Sequence, residues 1–352
     1  MSNYARLGCF LFATFLFAAA ARAQGPSAPA QAPAGRILLD VVVASKSGEP
    51  VSGLQQQDFT LLDNKVAVPI TSFQAVAVRD APIEIVVVID AVNTDVRTID
   101  YERIQIDKFL HTDNGNLAYP VALAVFTDKG VEIVGNTFSS DGNALSAALE
   151  KDNVGIRAIN RSAGYWGATE RLQLSINALG QLVTREAPRP GRKLIFWVSP
   201  GWPLLDVPGT EVDSKQQQQL FATLVHMSAD LLQGRITIYS IDPLGAGENT
   251  MQTAAYRQFL KGVSKANQMQ VGNLGLPVVA IHSGGLALGP DNDIAGLVQK
   301  CVADSAPYYE ISFEPQAPEG PDEYHHLEIK VATPGLTART REEYYAQPTP
   351  HK

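Results

Sequence analysis

The chain has 352 residues, 45% hydrophobic and 18% charged, enough for a sizeable core and too many for one small domain. Its formal charge is −8, and loss of residues 1–23, which carry Arg6 and Arg22 and no acid, takes it to −10. An acidic chain without a basic cluster argues against nucleic acid and against anionic lipid surfaces as partners.

Residues 1–23 read as a secretory signal peptide. Arg6 precedes the apolar run CFLFATFLFAAAA, which ends in Ala21-Arg22-Ala23, a small-x-small cleavage pattern before Gln24. The run is short for a bilayer span, and no charged stop follows it. The mature chain is therefore expected to be secreted or periplasmic and not an integral membrane protein. A lipid anchor would need a cysteine at the end of the run, whereas Cys9 stands at its start. Cys301 is then the only cysteine of the mature protein, so no intramolecular disulfide can form, and it is expected inside a buried helix.

Residues 24–35, QGPSAPAQAPAG, have nothing to bury and read as a disordered Pro/Ala-rich spacer. Over 36–80, short β-rich runs are divided by Ser47-Gly48-Glu49-Pro50 and Asp63-Asn64-Lys65, which predicts three or four strands. From Pro82 the pattern changes to strands alternating with helices, the mark of a doubly wound, mostly parallel sheet. IEIVVVI at 83–89 is nearly continuous β-branched residues, as a strand buried on both faces should be. A helix follows near 98–111, then VALAVFT at 121–127, GVEIVG beside it, and helices at 141–151 and 169–186. KLIFWVS, a helix at 214–233, RITIYSID and a helix at 291–305 complete this domain, 82–305. Between 243 and 290 periodicity is weak, and helical pieces joined by mobile loop are expected.

Residues 306–346 return to β-structure in PYYEISFEP, YHHLEIKVAT and LTARTREEYYA, before a tail at 347–352. Neither flanking β-region is long enough for a full sandwich. The economical arrangement is one β-sandwich built from both, with the α/β domain inserted between them.

This succession resembles the von Willebrand factor type A (VWA) family, and more closely a bacterial secreted group of VWA-related proteins abundant in acidobacteria. The stretches that carry the resemblance are VSGLQQQDFTLLDN, IEIVVVIDAVNTD, VALAVFTDKGVEIVGNTFSSD, GATERLQLSINAL, KLIFWVSPG, HSGG with DNDIAGLVQKCVADSAPYYEISFEP, and GLTARTREEYYA. The resemblance implies a metal-ion-dependent adhesion site at the C-terminal edge of the sheet, where open α/β folds place their ligands. In the family one loop supplies Asp-x-Ser-x-Ser, a second a Thr and a third an Asp around a divalent cation.

Asp90 stands at the first aspartate, but Val92 offers no oxygen at the next position; Thr94 does at the third. Thr169 fits the second-loop threonine, or is the N-cap of the helix after it. In the third loop Ser199-Pro200-Gly201 puts proline where the carboxylate belongs. One carboxylate and two hydroxyls make a degenerate site, implying no metal or weakly bound Mg. Asn93, Asp95 or Asp206 would have to swing in to strengthen it. Alternatively Asp90 accepts hydrogen bonds from the next loop and has a structural role.

Partner binding would then rest on another surface. SPGWPLLDVPG puts Trp202, Leu204 and Leu205 in a stiffened loop at the same edge, with Asn93 and Asp95 nearby. The competing reading folds Trp202 back over the space a metal would use. Enzymatic readings lack a motif: there is no Gly-x-Ser-x-Gly, and VIDAVNTD contains no phosphate-binding glycine. Asp128 and Asp242 lie at strand ends, so residue types alone leave an acid-base site open. His325 and His326 would point to opposite faces of a strand and cannot chelate one ion. The expected function is protein–protein recognition with an unknown protein partner and without chemistry; the rivals are a metal-dependent adhesion protein, an envelope structural component and a hydrolase.

Overall fold

The computed structural model describes residues 35–151, 164–203, 212–244 and 255–348. The first strands are β1 (Ile37–Ser45), β2 (Phe59–Asp63), β3 (Val66–Val68), β4 (Ser72–Val76) and β5 (Ile83–Asp90), followed by helix α1 (Val96–Leu110). Next come β6 (Asn116–Thr127), β7 (Gly130–Ile133), β8 (Ser139–Asp141), α2 (Gly142–Lys151), α3 (Gly164–Glu186) and β9 (Arg192–Val198). Then follow α4 (Ser214–Gln233), β10 (Ile236–Ile241), α5 (Leu276–His282), β11 (Ala287–Leu288) and α6 (Ile294–Asp304). The last strands are β12 (Tyr308–Phe313), β13 (Glu323–Val331), β14 (Leu336–Arg339) and β15 (Glu343–Ala346).

The central sheet runs β11-β10-β9-β5-β6-β7, parallel from β11 to β6, with β7 and β8 added antiparallel on β6. Side chains of β5 alternate between two cores, which explains its apolar run from Ile85 to Ile89. Ile85, Val87 and Ile89 pack with Ile99 and Ile106 of α1 and Ile294 and Val298 of α6. Val86 and Val88 face the other way, toward Leu172 and Leu179 of α3, Leu231 of α4 and Val279 of α5. Each such aliphatic side chain contributes about 1.5–3 kcal/mol on burial.

Helix starts are fixed locally. Asp95 caps α1, accepting from the main-chain N–H groups of Arg97 at 2.9 Å and Thr98 at 3.2 Å. Asp213 and Gln216 form a reciprocal capping box at α4, and Asp293 accepts from Gly296 at the start of α6.

Two four-stranded antiparallel sheets flank this unit, ordered β14-β1-β12-β4 and β15-β13-β2-β3. Each interleaves strands from the two ends of the chain: Leu39 pairs with Ile311, and Leu61 with Ile329. Their apolar faces share one core, including Leu39, Phe59, Leu61, Phe313 and Leu327. The other face of the first sheet contributes Val42, Val76 and Tyr308 to the α/β core. The fold is thus mixed α/β, with a mostly parallel central sheet and flanking antiparallel sheets.

Arginines tie the flanking sheet to the α/β layers. Arg235 donates through Nη2 to Asp40 and, at 2.5 Å, to Glu310 Oε1. Arg192 donates to the Ser305 carbonyl at 2.7 Å and lies over the Tyr308 ring.

Several elements differ from the sequence reading. Helix α3 begins at Gly164, so Thr169 lies inside the helix and not at its N-cap. Strand β6 starts at Asn116, five residues earlier than the apolar run, and carries Pro120 where its pairing with β8 shifts register. LTARTREEYYA is two strands: β14 pairs with β1, β15 with β13, and the chain changes sheets at Thr340–Glu342. In the weakly periodic 243–290 region, α5 and the two-residue β11 are ordered elements too short to show a period.

Candidate functional site at the sheet edge

Asp90 ends β5 at the C-terminal edge of the parallel strands and is fully buried. Its Oδ1 accepts from the main-chain N–H of Val92 at 3.0 Å and of Asn93 at 2.9 Å. Its Oδ2 accepts from Asn93 Nδ2 at 2.8 Å and from the indole Nε1 of Trp197 at 3.0 Å. Burial pushes the Asp90 pKa up, and the hydrogen bonds from Asn93, Trp197 and Ser199 oppose that rise.

Trp202 closes this arrangement from above. It is buried, and its ring meets that of Trp197 edge-on at 5.2 Å. The turn beneath it is shaped by Ser199, whose hydroxyl accepts from the Gly201 N–H at 3.1 Å, and by Gly201 at φ +106°. Trp202 is therefore a core residue and not an exposed anchor, since its apolar surface is already spent on Trp197. Leu204, Leu205 and Asp206 lie outside the described residues.

The remaining sequence candidates turn inward or serve the helix. Asn93 donates to Asp90 and, at 2.9 Å, to Ser175 Oγ on α3, so its amide bridges two elements instead of facing a partner. Asp95 is at the surface with its carboxylate engaged as the α1 cap. Thr94 is buried, and Thr169 is half-buried in α3. Asp128 lies in the turn after β6, while Asp242, half-buried after β10, is pushed up to about 6 by burial.

One residue was missed. Glu102, on the inner face of α1, is wholly buried. The Thr94 hydroxyl faces its carboxyl without closing a hydrogen bond of standard geometry. Burial, with the Asp90 charge adding to it, raises the Glu102 pKa well above the usual range. A glutamate at an inward position of the helix is its only sequence signal, and the apolar neighbours Ile99 and Ile106 at helical spacing reveal that position.

A divalent cation fits these residues poorly. Both Asp90 oxygens already accept two N–H groups each, so a cation would meet donors where it needs lone pairs. Val92 and Pro200 supply no side-chain oxygen. Among the described residues, no group of three His, Cys, Asp or Glu side chains is arranged to hold a metal ion.

No family model matches the chain, and neither does any curated protein. Among solved structures it is similar to the human COPII-coat protein Sec24c, with a TM-score of 0.34 and 9% identity, covering 76% of this chain and 44% of that one. It is similar to the TFIIH p34 N-terminal domain at TM-score 0.31 and 12% identity, covering 64% and 98% of the two chains. Manganese-loaded Plasmodium vivax TRAP protein gives TM-score 0.31 and 10% identity over 81% and 99%. The chain thus spans less than half the length of Sec24c, and likenesses at these scores carry no argument about function.

Proposed function

We propose that the chain is a protein–protein recognition module of the von Willebrand type A kind, an adhesion or scaffold protein in which the metal frame has become structural. The observation that carries this reading is the Asp90 carboxylate, which stands where the family's first metal ligand stands and spends four acceptor positions on Val92, Asn93 and Trp197. The resemblance in element order and motifs supplies the recognition role, and no catalytic group is assigned. The apolar run and Ala21-Arg22-Ala23 support secretion or export to the periplasm with cleavage before Gln24. No helix among the described residues is long and apolar enough to cross a membrane.

Calorimetric titration of the mature protein with magnesium, manganese and calcium tests the metal part: no saturable heat is expected. Tight binding abolished by Asp90→Ala would replace this reading with the metal-dependent one. Cross-linking in intact cells followed by affinity purification tests the recognition part, with one dominant protein partner expected. Loss of envelope integrity without any partner would favour a structural component, and N-terminal sequencing of the exported protein should read Gln24 first.

A further inference from the structure

Two histidines adjacent in β13 take opposite places in the fold. His326 is exposed, while His325 is buried, its ring stacked on that of Tyr344 in β15 at 4.6 Å. Nδ1 of His325 lies 2.8 Å from Asp63 Oδ1 at the end of β2, and the Tyr344 hydroxyl donates to Asp63 Oδ2 at 2.7 Å. A carboxylate has no proton to give, so Nδ1 carries one and donates it. That fixes the tautomer: in the neutral ring Nε2 holds a bare lone pair.

The lone pair meets the wrong kind of neighbour. Nε2 is buried, closes no hydrogen bond among the described residues, and stands 3.4 Å from Glu323 Oε1, two positions earlier on the same strand. Two acceptors then confront each other, whereas a proton on Nε2 turns the contact into a charge-assisted pair. The titratable groups that meet the ring are Asp63 from β2, Tyr344 from β15 and Glu323 from β13 itself, while β12 supplies the apolar Phe313 against Tyr344. Glu343 of β15 is paired elsewhere, with His282 of α5.

Glu323 is the group that can transmit the change. Its side chain is 34% exposed and has room to swing outward. Its Oε2 accepts the Glu319 N–H at 2.5 Å across the turn between β12 and β13, and Glu323 pairs with Ala346 at the end of β15. We propose that His325 is a proton-operated latch: protonation at Nε2 closes Glu323 onto the ring and orders the β12–β13 turn with the adjoining end of β15. Loss of that proton releases the turn. Asp63 keeps its bond from Nδ1 in both states, so the register of β2 on β13 does not change. The latch rests on no part of the recognition reading.

The test is amide hydrogen exchange of the mature protein between about pH 5.5 and pH 8, a range in which imidazole changes charge, with each rate divided by its intrinsic value at that pH. Protection at Gly320, Asp322 and Glu323 should be about threefold or more higher at the acid end. His325→Gln, which cannot titrate, should abolish the difference. Glu323→Gln should abolish or reverse it, because its amide can donate to the bare Nε2; lying at a partly exposed strand end, it keeps the test decisive if His325→Gln does not fold. His326→Gln should leave the difference intact. Equal protection at both ends of the range in the parent chain would overturn the latch. So would the parent's difference persisting in a folded His325→Gln or Glu323→Gln chain, or disappearing in His326→Gln.

Discussion

The Asp90 carboxylate holds the structure around it together. With its two oxygens taken by four N–H donors, it fixes the turn after β5 and pins the Trp197 indole. Asp90→Ala leaves those donors unpaired in a buried site, and a loss of about 2–4 kcal/mol is expected. Urea denaturation should show the same loss in excess magnesium and in chelator; a loss confined to magnesium would indicate a bound ion. Glu102 behaves in the opposite sense. Its folded pKa is raised by burial, so the folded chain holds this proton more tightly than the unfolded chain. Stability is therefore lost as pH rises from the ordinary glutamate value of 4.5 toward the raised folded one. Glu102→Gln removes that titration: its advantage over the parent chain should be small below the ordinary glutamate value of 4.5 and grow as pH rises above it. Denaturation midpoints measured across this range check it, and a difference that stays constant with pH would remove Glu102 as the titrating group.

Elements were legible where burial is two-sided or helical periodicity is long. The β5 run, α1, α4 and the return to β-structure after Ser305 all follow from pattern alone, and so does Asp90 at a strand end. What pattern hides is set by tertiary context. In LTARTREEYYA the polar run Thr340-Arg341-Glu342-Glu343 breaks the alternation, but nothing local shows that the chain exchanges its hydrogen-bond partner there, from β1 to β13. The buried state of Trp202 depends on Trp197, five positions earlier on another element, which no local rule reports. Asn93 is equally silent, because its amide is committed to Asp90 and to Ser175 on α3. The joint between layers is also long-range: Arg235, just before β10, meets Asp40 of β1 and Glu310 of β12. Removing it strands two partly buried acids side by side, and Arg235→Met is expected to cost about 3 kcal/mol. Adding Asp40→Asn should recover part of that loss. A double variant as unstable as the sum of its singles would mean the two side chains do not act as a pair.

At the scale of the molecule, the interleaving of strands from both ends decides how the chain unfolds. Neither β-region can complete a sheet alone: β12 lies between β1 and β4, and β2 lies between β13 and β3. The first sheet also gives Val42, Val76 and Tyr308 to the core that β5, α1 and α6 build. Opening the sandwich therefore exposes part of the α/β core, and releasing the α/β layers uncovers the back of the sandwich. Contacts shared in this way couple the two parts into one cooperative unit, whereas domains joined by a linker melt separately. The tryptophans, at 166, 197 and 202, all belong to the α/β segment, and Trp197 and Trp202 are buried there. Their fluorescence reports that segment, while far-ultraviolet circular dichroism reports every strand and helix. The two signals should trace one coincident urea transition. A fluorescence transition displaced from the dichroic one would show that the sandwich and the α/β unit fold independently, and that the shared Val42, Val76 and Tyr308 contacts are too weak to couple them.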